Sequence, residues 1–234
     1  MSDSFDGTNK RSMYRQKTTA EIQRILDDHR LFVARKGGAR ADLTMQSLAG
    51  AKLVGVNLSG AKLTGTNFEG ADLRGANFDR ADLFTANLSM ADLTEASFQE
   101  ADMRGIVLRG AKMRRTKLAR ADLRPGMLLA AGGGGSGLNV KTKGSGAADI
   151  SDVDLQQADL QKAALTEAKL TGTDLSGVDL TGAELSRARM AGTRLTNSRL
   201  DRCNMTRADL SGADMSGAAM VGVTLVDTEL SNAN

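Results

Sequence analysis

Few side chains in this sequence have the types and spacing that chemistry requires. The 234 residues hold one histidine and one cysteine. His29 lies in "EIQRILDDHRLFVARKGG" and Cys203 in "DRCNMTR". They are far apart in the chain and match no zinc-ligand spacing. Paired carboxylates could serve metal binding or acid–base work, and aspartates are plentiful. Yet Asp72, Asp82, Asp92, Asp102, Asp122, Asp154, Asp159, Asp174, Asp179, Asp209 and Asp214 each stand immediately before a large apolar residue. So stereotyped a place reads as the polar slot of a repeat. The stretch "AAGGGGSGLNVKTKGSG" invites a phosphate-loop reading, but that signature needs Gly-Lys-Ser/Thr together. Here Lys141-Thr142 follows Val140. No catalytic residue, metal ligand set or cofactor site is therefore expected. His29 reads as part of a helix stripe, and Cys203 as a small core residue.

The element that positions all these residues is a five-residue period. Large apolar centres run from Leu43 through Leu48, Leu53 and onward to Leu123 without a missed step, giving seventeen units. A second run from Ile150 to Leu230 gives seventeen more. Two places before each centre sits a small or β-branched residue, usually Ala, with Gln46 the exception. Five matches neither the helical period of 3.6 nor the strand period of 2. Glycines recur in the last place of the unit (Gly50, Gly55, Gly60, Gly65), and each would cost ~1 kcal/mol within a helix. The period makes sense if each unit is one side of a coil. The centre and the small residue then point inward, and the final residue turns the corner with positive φ.

The tandem units "ADLRG", "ANFDR", "ADLFT", "ANLSM" and "ADLTE" resemble the pentapeptide-repeat proteins, whose pattern is A(D/N)LXX. The resemblance covers 41–125 and 148–232. It implies an all-β solenoid, a right-handed quadrilateral parallel β-helix with four units per coil. Thirty-four units make about 8.5 coils. At ~4.8 Å per stacked strand, a continuous rod would be about 40 Å long. Phe78 and Phe98, twenty residues apart, should stack in adjacent coils.

The chain divides as a disordered 1–17, a capping segment 18–38, a first run 39–125, an insert or hinge 126–147 and a second run 148–234. A capping box, Thr18 with Glu21, starts a predicted helix over about 19–35. Ile22, Ile25, Leu26 and Val33 form its apolar stripe, and Gly37-Gly38 stop it. It should fold over the first coil. The other end reads as uncovered and carries Met215, Met220, Val221, Val223, Leu225 and Val226, a candidate surface for homodimer formation. Between the runs, the step from Leu123 to Ile150 is 27 residues, so the register slips by two. Leu128 could extend the first run by one unit. The glycine-rich segment beyond it can be a loop on one rod, a hinge between two half-rods or an added linker.

Net charge is +3, sequence pI about 9.1, and aromatics only 3%. No apolar run is long enough to span a membrane, and the polar N-terminus has no secretory signal. With a single cysteine, these features lead us to expect a cytoplasmic protein. The charge is banded. Arg104, Arg109, Lys112, Arg114, Arg115, Lys117, Arg120 and Arg124 face Asp122 alone within 104–124. Residues 149–184 are acidic, and 187–207 are basic through Arg187, Arg189, Arg194, Arg199, Arg202 and Arg207. Since a coil takes twenty residues, these are belts around the rod. They can serve solubility and stacking register, or bind an anionic partner near 104–124, with Lys141 and Lys143 adding to it. Base-stacking aromatics are missing there.

The function expected from these features is a non-catalytic structural or protein-interaction scaffold with an unknown partner. One alternative, implied by the family, is a DNA-like modulator of type II topoisomerases, although only 149–184 has the acidity this needs. The other is binding of nucleic acid or an anionic surface through the two basic belts.

Overall fold

The computed structural model describes residues 16–126, 148–151 and 153–234. The expectations for 1–15 and for 127–147, Leu128, Lys141 and Lys143 included, lie outside the described residues. The chain opens with α1, Thr19–Val33. At its start the Thr18 hydroxyl accepts from the Glu21 backbone N–H at 3.3 Å, and the Glu21 carboxylate accepts from the Thr18 N–H at 2.7 Å. Both bonds satisfy donors that the first turn leaves open.

From Ala41 on, the described residues form a right-handed, four-sided β-helix. Each unit contributes one ladder residue, bridged in parallel to its counterpart twenty residues on, as in Asp42↔Lys62↔Asp82↔Asp102↔Asp122. The backbone hydrogen bonds run along the rod axis, for example Leu43 N–H to the Lys62 carbonyl at 2.9 Å and Lys62 N–H to the Ala41 carbonyl at 2.9 Å. A four-residue turn closes each corner, such as Ala51 N–H to the Leu48 carbonyl at 3.1 Å. The last residue of the unit takes positive φ whether or not it is glycine. Arg80 has φ 56°, Glu95 62° and Arg120 61°. All three are exposed, and their φ lies in the left-handed well that residues other than glycine enter at a local steric cost.

The inside is dry. The centres and small residues from Ala41 to Ala213 are nearly all buried, Leu63, Phe68, Leu93 and Leu200 among them at 0% exposure. Phe78 and Phe98 stack in adjacent coils with centroids 4.9 Å apart, and Phe68 meets Phe78 edge-on at 5.9 Å. Where a threonine replaces the small alanine, it donates to a core carbonyl, whereas the buried Ser198 Oγ has no partner among the described residues. Thr66 Oγ1 reaches Leu43 O and Thr173 Oγ1 reaches Ile150 O, both at 2.8 Å. These bonds remove the cost of an unpaired buried hydroxyl.

The ladder continues across the insert. Val107 bridges Asp149, Lys112 bridges Asp154, Lys117 bridges Asp159 and Asp122 bridges Ala164. Ile150 therefore sits in the coil position over Leu108, and each step here is 42 residues instead of twenty. Centres from both runs, including Leu108, Met113, Ile150 and Leu155, surround a void of about 10 Å³. At the root of the insert the backbones crowd. A Cβ on Gly105 would lie 2.9 Å from the Gly126 carbonyl oxygen, and one on Gly126 2.7 Å from Arg104 O, so both places require glycine.

Candidate functional site

The residues with chemical potential occupy structural positions. Cys203 is 0% exposed, and its Sγ donates to the Leu180 carbonyl at 2.9 Å. Burial pushes its thiol up to about 11, the opposite of what a nucleophile needs. His29, on the buried face of α1, is also 0% exposed. Its Nδ1 accepts from the Ala41 N–H at 3.1 Å, so the proton of the neutral ring is on Nε2. Nε2 has no aligned partner, though the nearby Ser59 backbone favours the proton there. Burial, outweighing that contact and helped by Arg40, holds the His29 pKa below its ordinary value. The imidazole is a latch of the cap.

The carboxylates of the repeat fasten corners. Asp92 Oδ1 accepts from the Thr94 N–H at 3.1 Å and from its hydroxyl at 2.7 Å. Asp209 and Asp214 do the same with Ser211 and Ser216, whose side-chain and backbone hydrogen bonds keep both carboxyl groups below the usual range. Among the described residues no group of histidine, cysteine and carboxylate side chains could hold a metal, and no helix is long and apolar enough to cross a membrane.

The basic belt is built from four sides of one coil and the corners between them. Five of its eight cations are in ion pairs. Arg104 lies 2.6 Å from Asp102 and 3.8 Å from Asp122, with its guanidinium over the Phe84 ring at 5.2 Å. Arg124 pairs with Asp122 at 2.6 Å, Arg114 with Asp154 at 3.0 Å, Arg115 with Glu95 at 2.5 Å and Arg120 with Glu100 at 3.3 Å. Burial works against the Asp122 carboxylate, but the hydrogen bonds from Arg124 still hold its pKa low. Arg109, Lys112 and Lys117 are exposed and have no ion pair among the described residues. Lys112 nevertheless stands between Asp92 and Asp154 in its ladder and Lys117 next to Asp159, whereas the places on either side of Arg109 in its column are Ser89 and Ser151. The second basic belt is partly neutralised in the same way, by Arg187–Glu167, Arg199–Asp179 and Arg207–Asp227.

One arrangement is visible only in three dimensions. At a single corner Arg80, Glu100 and Arg120 stack in successive coils, with Glu100 paired to both arginines. The Arg80 hydrogen bond is the main reason the Glu100 carboxyl titrates below its ordinary value. The signal in the sequence was twenty-residue spacing between final-place charges. At the far end of the rod Val221 is 76% and Val226 57% exposed, while Met215, Met220 and Val223 are half-buried.

Comparison with known proteins adds to this geometry. None of the curated proteins matches the sequence. Full-length QnrB1, described as a plasmid-mediated fluoroquinolone resistance protein, is 23% identical over 79% of this chain and 86% of its own, with a TM-score of 0.62. HetL from the cyanobacterium Nostoc sp. strain PCC 7120, a pentapeptide repeat protein involved in heterocyst differentiation regulation, is 24% identical over 94% of this chain and 97% of its own, with a TM-score of 0.46. At 23% identity the likeness to QnrB1 is one of fold. The model of the pentapeptide repeats matches residues 51–89, 91–124, 148–187 and 188–227 in eight copies. Together with the four-sided coil and its unbroken ladder, that match makes the chain a member of the pentapeptide-repeat proteins.

Proposed function

We propose that this protein is a non-catalytic scaffold, a single rigid rod that presents its outer side chains to a protein partner, with the cytoplasm as the compartment expected from sequence. The observation that carries this reading is the use of nearly every chemically capable side chain for folding. Cys203 and His29 are buried and the repeat aspartates fasten corners. The ladder across the insert supports one continuous rod. What remains free to specify a partner is the outward surface, and within the belt at 104–124 this is Arg109, Lys112 and Lys117. Affinity capture with the full chain, against a variant carrying Arg109→Glu and Lys117→Glu, tests the idea. A partner kept by the wild type and lost by a variant that melts normally is the expected result. Capture of nothing specific by the wild type rejects the scaffold reading.

A DNA-like modulator of topoisomerases is less well supported. A duplex mimic needs an unbroken acidic face, whereas the ladder here runs Asp154, Asp174, Arg194, Asp214. Protection or inhibition in a gyrase supercoiling assay would restore it. Direct binding of nucleic acid through the belts is weakened by the same internal ion pairs, and salt-sensitive binding to duplex DNA would revive it.

The exposed Val221 and Val226 motivate a second part of the proposal: two copies pair through their last coils. Sedimentation should show a dimer that Val221→Lys with Val226→Lys converts to monomer. A wild type that stays monomeric at high concentration rejects pairing.

A further inference from the structure

The side of the rod built on Leu58, Phe78, Phe98, Leu118 and Leu160 carries a groove along the rod axis. It begins where Phe32 and Val33, at the end of α1, overhang Ser59 and Gly60, and it encloses about 770 Å³ as far as Gln99 and Glu100. A further 320 Å³ continues from those two residues over Ala119 to Gln161 and Lys162. Small side chains at Ser59, Gly60 and Ala119 make the depression, and the corner residues Arg80, Glu100 and Arg120 wall it.

We propose that this groove binds an extended acidic segment of a protein partner, with an apolar residue of that segment seated against Phe32. The inference rests on the scaffold reading and names the chemistry of the partner.

Length comes first. From Ser59 to Gln161 the groove crosses four coil steps. At ~4.8 Å each this is roughly 19 Å, the span of about six extended residues. Charge comes second. Arg35 and Lys162, at opposite ends, have no ion pair among the described residues. Between them Arg80 and Arg120 share one carboxylate, Glu100, which leaves net positive charge on the wall.

Hydrogen bonding comes third. Gln99 Nε2 donates to Ser97 Oγ at 3.3 Å, and Gln161 Nε2 donates to Asp179 Oδ2 at 3.1 Å. These bonds aim the amides and leave each carbonyl oxygen to accept a peptide N–H. The two glutamines are two coils apart, ~9.6 Å, close to one three-residue turn of an extended polyproline II segment at ~3.1 Å per residue, in which the N–H groups of residues i and i+3 point the same way. A segment lying in the groove can therefore donate to both. Apolar contact comes last: Phe32 is 44% exposed at the closed end, next to the half-buried Val33.

A uniformly charged strand suits the groove poorly. Asp79 lies in its floor, held by Ser97 Oγ at 2.5 Å and the Gln99 N–H at 2.9 Å, and Glu100 lies in its wall. A polypeptide can put neutral residues opposite both carboxylates, whereas a phosphate backbone cannot. One aromatic side chain also falls short of the stacking platform that single-stranded nucleic acid uses.

The test uses the full chain and fluorescence anisotropy. The probe is a labelled octapeptide of alternating glutamate and serine with phenylalanine at one terminus, made in both orientations. Controls are the same peptide with lysine for glutamate and an eight-nucleotide oligothymidine. One orientation should bind, and the lysine peptide should not. Arg35→Glu and Lys162→Glu should each weaken binding at least tenfold, and Phe32→Ser severalfold, in proteins whose melting is unchanged. No binding, or binding indifferent to these changes, overturns the proposal. So does tighter binding of oligothymidine with the same sensitivity. A partner captured equally by wild type and by Arg35→Glu/Lys162→Glu would remove the groove and leave the scaffold reading standing. A wild type that captures no partner would remove the scaffold reading itself.

Discussion

In the first coil Leu43 and Leu58 are fully buried, whereas in the last described coil Leu225 and Leu230 are 37% and 40% exposed. The two coils have the same pattern of centres, so the difference lies in what stacks on them. An internal coil has a neighbour above and below, and an end coil has one. Ile22, Ile25 and Leu26 of α1 supply the missing neighbour at the first coil, and His29 is driven fully into the contact. The cover is not complete, since Leu53 stays half-buried and Val54 is 57% exposed. Burial in this fold is thus a property of the stack more than of the unit.

The sharpest break of that comparison is truncation of matching centres. Leu58→Ala should cost about 2–5 kcal/mol, as buried leucine deletions do. Leu230→Ala, already in contact with solvent, should cost less than about 1 kcal/mol. Denaturant melts of the two variants measure this. Equal losses would mean that the last coil is covered in solution, by a second copy or otherwise.

The same contrast shows how far the sequence could be read. The five-residue period was enough for the coil, its corners and the Phe78–Phe98 stack, because each depends only on spacing along the chain. Gln46 stood out as the one long polar residue in a small inward place, and its reason was illegible. It is 2% exposed, and its side-chain carbonyl accepts the Lys17 N–H at 2.6 Å, tying the segment before α1 to the first coil. That partner is 29 residues away, beyond any local pattern. The charge belts were only partly legible for a related reason. Counted along the chain, 104–124 is strongly basic, yet Glu95, Glu100 and Asp154 of neighbouring coils meet Arg115, Arg120 and Arg114. These partners, one coil away, are 20 or 40 positions distant in sequence. The groove beneath α1 was also out of reach, since it depends on how far the helix overhangs the rod.

A second way to separate the ends is pH. His29 is neutral in the fold, with a pKa lowered from 6.5 mainly by burial. The unfolded chain therefore binds a proton here more readily than the folded one. The sign follows: stability is fully present above pH 6.5 and falls as the pH drops from there toward the folded value. The shifted aspartates, such as Asp209 and Asp214, have lowered values too, but their contribution is present above 3.8 and is lost only at more acidic pH. Melts between pH 7.5 and 5 should therefore show a loss that His29→Gln flattens. Exchange protection, taken relative to the intrinsic rate at each pH, should fall in α1 and the first coil and stay constant near Leu210. A uniform loss of protection along the rod would show that the histidine does not act through the cap.

The smallest expected effect lies at the start of α1. Thr18→Ala removes the hydroxyl that accepts from the Glu21 N–H, at a cost of about 1 kcal/mol for a residue of this kind. Because each coil of a solenoid contacts only its neighbours, this loss should stay local. Exchange protection should fall in α1 and at Ala41, whose N–H is held by the buried His29, because fraying the helix withdraws that acceptor. Protection at the Leu195 and Leu200 amides, bonded to Asp214 and Ala219 near the other end, should not change. If protection fell at both ends alike, the rod would melt as one unit, and the cap would govern the stability of all the coils instead of the first alone.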